Sequence, residues 1–316
     1  MTIHPHLLAQ IFNRPHMMTP ELMALAVEFG RAHLLVGAEP AVPEMAIRRY
    51  EPDDDAEDGD DDGMSGVSVI PIAGPLVPRT GNLKFCQQMT SYETVAAKVD
   101  AALADPDVAH IVFDIDSPGG ASTGAFELAD RIRAAGQIKP TSAIVNFNAM
   151  SGAYLLAAAC NEISLSQTGG VGSIGVIAQH MDVSKMNEAM GVRITSVYRG
   201  DKKNNLTPNE PLSDASMAQL SEMVEHTYGQ FVDAVARFRS MPQSQVIDTQ
   251  AGLYFGQDAI DAGLADRLET PQQAIDRIAG GVAAARSVQV QQSRRMQIQR
   301  QGILARAGVM NMRATM

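Results

Sequence analysis

Between residues 109 and 159, apolar β-branched runs alternate with helix-periodic ones. No other feature of the 316-residue chain constrains its fold as strongly. The run His110 to Phe113 passes into Asp114-Ile115-Asp116-Ser117-Pro118-Gly119-Gly120. A helical pattern follows from Gly124 to Ala135. A second apolar run, Thr141 to Phe147, leads through Asn148-Ala149-Met150-Ser151-Gly152-Ala153-Tyr154 into the Ala-rich run Leu155 to Ala159. Strands alternating with helices of about 10–15 residues predict βαβ units around a parallel sheet, an α/β fold.

The same alternation extends in both directions. Val67 to Ile72 reads as a strand closed by Gly74-Pro75, and Ser91 caps a helix through about Leu103 with Val95, Val99 and Leu103 on one face. Short strands are predicted at 163–165 and 174–176, bracketing a turn over 168–173. Ser213 caps a long helix through about Arg239, with the stripe Met217, Leu220, Val224, Phe231 and Val235. Near the N-terminus, Thr19-Pro20-Glu21 starts a helix, Thr as N-cap and Pro at the first position. Its face of Leu22, Leu25, Ala26, Phe29 and His33 reads as a docking surface rather than part of an active site.

Composition divides the chain into four parts: an N-terminal helical extension (1–49), an acidic linker (50–65), a catalytic core (66–270) and an Arg/Gln-rich tail, helical or disordered (271–316). The net charge of −11 is local in origin. Residues 51–62 carry nine acidic side chains and no basic one, which leaves the rest near −2. Like-charge repulsion without core formers predicts disorder there, and the run lacks the carboxylate offsets and glycine turn of a calcium loop. Residues 286–316 carry six arginines and no acid. With no aromatic residue interleaved among them, they suit nucleic-acid backbone contacts at most, so nucleic acid is not an expected partner. Two cysteines, Cys86 and Cys160, make no disulfide framework and point to a reducing setting. No apolar window reaches 18 residues and the N-terminus lacks a signal-sequence pattern, so neither a membrane span nor export is expected. No Cys/His cluster, P-loop or dinucleotide fingerprint appears, and no metal or cofactor is expected.

Ser151 is placed where a strand turns into a helix, beside free N–H groups and the positive end of the helix dipole. A nucleophile that must become an alkoxide gains from that position; a plain N-cap is the blander alternative. Gly119 and Gly120, with Gly152, can present amides to an oxyanion, or can serve only a turn needing positive φ. Ser173 lines the cleft or is a buried turn serine. Ala149 stands two before Ser151, so this is not the Gly-x-Ser-x-Gly elbow of α/β hydrolases. No histidine stands in a triad motif. His110 and His180 read as structural, with His180 the rival base.

The motif order resembles the signal peptide peptidase A (SppA) family of serine peptidases, whose fold is related to the ClpP and crotonase folds. The residues that carry the resemblance are Val69-Ile70-Pro71-Ile72-Ala73-Gly74-Pro75, Asp116-Ser117-Pro118-Gly119-Gly120, Met150-Ser151-Gly152-Ala153-Tyr154 and Gly172-Ser173-Ile174-Gly175-Val176. Gly200 with Lys203 follows, then Phe255-Gly256 through Ala259 to Gly263-Leu264-Ala265-Asp266. The resemblance implies an SppA-like peptidase domain over 66–270 and a Ser–Lys dyad, with Ser151 the nucleophile and Lys203 the base. Lys203 stands three residues after Gly200, which favours it over Lys202. A free lysine, with a pKa of about 10.4, is protonated at neutral pH, so a lysine base must be desolvated or set in positive potential. Lys203 is therefore expected in an enclosed site facing Ser151.

A single catalytic unit with an N-terminal extension and an Arg/Gln tail is similar to the phage and prophage branch, the capsid assembly (prohead) proteases. That implies an endopeptidase cleaving scaffold, capsid or portal-associated proteins in the host cytoplasm or procapsid, and a homo-oligomer whose dyad forms within one subunit or across two. The N-terminal segment and linker are expected to be a removable pro-region over the cleft. Rival readings are a housekeeping signal-peptide-degrading peptidase, a crotonase-type acyl-CoA enzyme and an inactive capsid scaffold.

Overall fold

The computed structural model describes residues 11–35, 66–79 and 89–314. The acidic linker and Cys86 lie outside them. At the centre is a five-stranded parallel sheet of β2 (Val67–Ala73), β5 (His110–Asp116), β7 (Thr141–Val145), β9 (Glu162–Leu165) and β12 (Arg267–Leu268), in the order β12-β9-β7-β5-β2. Consecutive strands lie side by side through crossover helices, as alternating βαβ units require. A second sheet runs β11 (Leu253–Phe255), β10 (Gly170–Gly172), β8 (Asn148–Met150). A third runs β1 (His16–Met18), β6 (Gly119–Ala121), β3 (Leu76–Val77), β4 (Thr90–Ser91).

The period-2 pattern of the central strands sorts their side chains. Ile111, Phe113 and Ile115 face one layer, with Ile70, Ile72, Ala143, Val145, Ile163 and Leu165. Four helices cover that layer. They are α2 (Tyr92–Ala104) through Val95 and Val99, α3 (Ala125–Ala135) through Leu128 and Ile132, the wholly buried α4 (Gly152–Ala159), and α6 (Asp214–Arg239) through Phe231 and Val235. Val112 and Ile144 point to the opposite layer and meet Ala274 and Ile278 of α9 (Pro271–Ala314). The expected boundary at 270 therefore falls inside packed structure: the first turns of the last helix form the second cover of the sheet, with Val282 still buried.

Caps fall where the sequence puts them. The Ser91 hydroxyl accepts from the Thr94 amide and the Ser213 hydroxyl from the Ser216 amide. Helix α1 (Pro20–Leu35) starts at Pro20, with the Thr19 hydroxyl accepting from the Leu22 amide. Among the residues of this helix whose side chains are described, Met23 is buried, Leu22 and Ala26 are half-buried and Leu25 is exposed; Phe29 and His33 of the expected stripe lie outside them. Short helices α5 (Ser184–Ala189), α7 (Gln243–Asp248) and α8 (Gly256–Asp261) complete the described chain.

Two local expectations differ. No strand covers 174–176; the strand is Gly170–Gly172, inside the expected turn. It pairs in parallel with β8 and antiparallel with β11, and the glycines are what let it fit. A Cβ on Gly170 would lie 2.6 Å from the Phe255 ring and one on Gly172 2.5 Å from the Gly252 carbonyl oxygen. The other is β1, in a stretch that has no strand signature.

Candidate active site

Ser151 stands between the end of β8 and the first residue of α4. Its φ of +54° with ψ of −117° is a conformation that residues bearing a Cβ rarely adopt, and neighbours on both sides hold it there. The Ser151 amide donates to the Gly172 carbonyl (2.8 Å) and the Met150 amide to the Ser117 carbonyl (3.0 Å). The hydroxyl does not cap its helix; it approaches the Gly175 carbonyl at 3.4 Å. The sharp turn thus leaves the α4 amides without a side-chain acceptor, the arrangement an oxyanion site needs. Ser151 is 0% exposed.

The glycine run lies directly across from it. Gly119 has φ +91°, and a Cβ there would sit 2.3 Å from the Met17 carbonyl oxygen and 3.0 Å from the Gly152 nitrogen. A Cβ on Gly152 would sit 3.1 Å from the same Met17 oxygen and 3.6 Å from the Gly120 nitrogen. The Met17 carbonyl thus lies against the open faces of both Gly119 and Gly152, with Gly120 paired to Met17 across the sheet. Ser117, which sequence reading did not single out, holds this loop. Its hydroxyl donates to the Gly74 carbonyl (2.7 Å) and accepts from the Gly119 amide (3.2 Å). A fully buried serine before a Pro-Gly-Gly run is the signal that was available. Ser173 is buried with φ +52°, its amide donating to the Gly252 carbonyl (2.9 Å). It directly follows β10.

Lys203 does not come to Ser151 within one chain. It is exposed in the turn after Gly200, where its amide donates to the Gly200 carbonyl (3.0 Å). Among the described residues its side chain makes no hydrogen bond or ion pair. The expected enclosed site is therefore not formed by the described residues, which leave the whole 191–203 segment exposed. Lys202 reaches Glu222 of α6 at 3.9 Å, both side chains largely in solvent. The rival base also stands apart from Ser151. His180 Nδ1 bonds Asn13 Oδ1 at 2.9 Å, and its buried Nε2 has no partner among the described residues. His110 bonds the Ser142 hydroxyl (2.9 Å), and burial lowers its pKa. Cys160 is fully buried, and burial pushes its thiol up, which makes it inert.

The first turn of α4 is anchored to the closing Gly263-Leu264-Ala265-Asp266 segment. The Tyr154 hydroxyl donates to the Leu264 carbonyl (3.1 Å). Arg239 holds Asp266 through paired bonds of 2.7 and 2.9 Å and the Gly263 carbonyl at 3.0 Å. Burial alone would raise the Asp266 carboxyl, but Arg239 overrides it and the net direction is down. Beside it, Arg277 pairs with both Glu162 and Glu269, and its hydrogen bond lowers the Glu269 carboxyl.

A strand-to-helix serine beside glycines on a parallel α/β scaffold is an arrangement compatible with hydrolase chemistry. Comparison with known proteins makes the assignment specific. The model of peptidase family S49 matches residues 133–285. Capsid assembly protease C of Escherichia phage lambda is 34% identical over 299 residues, covering 90% of this chain and 67% of that protein. Head-tail preconnector protein GP5 of Enterobacteria phage P21 is 33% identical over 284 residues, covering 87% and 57%. The chloroplastic serine protease SPPA of Arabidopsis thaliana is 26% identical over 215 residues, covering 67% and 32%. The chain belongs to peptidase family S49, and it spans two thirds of the lambda protein and just over half of the P21 protein. No described helix is long and apolar enough to cross a membrane.

Proposed function

We propose that the chain is a serine endopeptidase that uses Ser151 as nucleophile and Lys203 as base, acting on scaffold and capsid-associated proteins during phage head maturation. The observation that carries this reading is the Ser151 turn itself: a positive-φ serine whose hydroxyl is left off the helix cap, opposite Gly119, Gly120 and Gly152. The phage relatives support the choice of substrate class.

In this mechanism Ser151 Oγ attacks the scissile carbonyl carbon and Lys203 Nζ takes its proton. The amides of Gly120 and Gly152 hold the resulting oxyanion, Gly119 contributing by lacking a Cβ while its amide stays on Ser117. Lys203 then returns the proton to the leaving amine, and water, deprotonated by the same lysine, releases the acyl group from Ser151. Lys203 is delivered by a neighbouring copy. Its exposure supports this, as does that of Val192, Ile194, Val197 and Tyr198 on the same segment. Val197 is 96% exposed, and an apolar stretch of that kind calls for a partner surface. Burial against that partner also supplies the desolvation a lysine base needs. Intact-mass analysis of wild type, Ser151→Ala and Lys203→Ala with a denatured protein substrate tests the reading. Fragments are expected from wild type alone; fragments from Lys203→Ala would move the base elsewhere.

A further inference from the structure

Strand β1 is unused by that mechanism, yet it lies on the catalytic glycines. On one side His16, Met17 and Met18 pair antiparallel with Ala121, Gly120 and Gly119. On the other, the His16 amide donates to the Ile177 carbonyl (2.8 Å), the Ile177 amide donates back to the His16 carbonyl (3.0 Å), and the Asn13 amide donates to the Gln179 carbonyl (2.9 Å). The Thr19 amide closes the run on the Pro118 carbonyl (3.1 Å). A segment gripped by main-chain bonds along both edges is bound as an extended peptide is bound, by strand addition. The Met17 side chain is fully buried, and its carbonyl oxygen is what a Cβ added to either Gly119 or Gly152 would meet first, at 2.3 and 3.1 Å.

We propose that residues 13–19 are an intrachain plug in the groove that receives extended polypeptide substrates. Met17 fills the pocket for the residue on the acyl side of the cut bond. This inference rests on the reading of Ser151 as nucleophile. It explains why that serine is wholly covered, and it names the substrate class: extended segments with methionine or another unbranched apolar residue before the cut. The plug also holds the loop that carries the base. Asn13 Nδ2 donates to the Leu206 carbonyl (2.8 Å), three residues beyond Lys203, while its Oδ1 holds His180. Withdrawal of the plug opens the groove and releases that loop together.

The test is fluorescence polarisation with a labelled peptide of the sequence Asn13 to Thr19, on full-length chain carrying Ser151→Ala so that nothing is cut. Met17→Asp sets a carboxylate in the apolar pocket and expels the plug. His16→Pro, which removes the amide that bonds Ile177, is the milder second variant. Either variant is expected to bind the peptide at least about tenfold more tightly than Ser151→Ala alone, because a closed plug lowers the competent fraction. With Ser151 restored, both should cleave a denatured protein several-fold faster than wild type. Folded variants that bind no more peptide than the parent overturn the plug, and so does loss of the cooperative melt in both variants, which would make β1 an integral strand. Peptide binding without cleavage by any variant would keep the plug and sink the peptidase reading; cleavage without peptide binding would do the reverse.

Discussion

Ser151 holds its backbone in a region that costs a residue with a Cβ about 1–3 kcal/mol, and its hydroxyl makes only one long contact in return. Ser151→Gly is therefore expected to raise the melting temperature by a few degrees while abolishing cleavage, and Ser151→Ala to abolish cleavage with the melt nearly unchanged. Calorimetry beside a peptidase assay checks both. Gly120 makes the opposite case. A Cβ there would lie 2.0 Å from the Leu76 carbonyl oxygen, backbone against backbone, so Gly120→Ala is expected to cost about 2–4 kcal/mol in denaturant unfolding. The residue types at this site were legible in the sequence, since Ser151 and the Gly119-Gly120 pair stand at the ends of recognisable strands. The positive φ of Ser151 and of Ser173 was not, because long-range bonds to Gly172 and Gly252 impose it.

Among the elements, those with strong periodicity or caps came through almost unchanged, as β5, α2 and α6 show. Two short strands did not. The pairing of β10 depends on glycines that clear Phe255 and Gly252, and β1 owes its strand geometry to the groove it fills rather than to His16-Met17-Met18. That the chain beyond 270 packs on the sheet was not legible, because Ala274 and Ile278 look unremarkable until Val112 and Ile144 are seen to need a cover. A chain truncated after residue 270 should thus fail to give a cooperative melt, while one ending at 287 should keep it. Ile278→Ala alone should cost about 2–4 kcal/mol. The Arg239–Asp266 clamp beneath α4 sets a pH dependence. The Asp266 carboxyl is lowered by folding, so its contribution is present above the unfolded carboxylate pKa and is lost as pH falls through the lower folded value. Asp266→Asn should flatten the acid limb of stability below about pH 4 and leave its shape at neutral pH alone, as melts across pH would show.

For the whole molecule, the single chain sets Ser151 beside Gly119 and Gly152 in its buried interior and carries Lys203 on an exposed segment with Val192, Ile194, Val197 and Tyr198. Family resemblance gave Lys203 its role; only the three-dimensional arrangement shows that one chain does not enclose it. The same segment predicts the assembly. Val197→Glu should shift the protein toward smaller species in light scattering and reduce cleavage in step, because in the proposed mechanism the surface that carries Lys203 also meets the neighbouring copy. Mixing Ser151→Ala with Lys203→Ala subunits measures the central claim most directly. Each variant alone should be silent against a denatured protein. Subunits exchanged into shared oligomers should recover roughly a quarter of wild-type cleavage, since half of them keep the serine and half of their neighbours keep the lysine. Cleavage by Lys203→Ala alone, or none from mixed oligomers whose subunit exchange is verified by mass, would contradict a dyad shared between neighbouring copies.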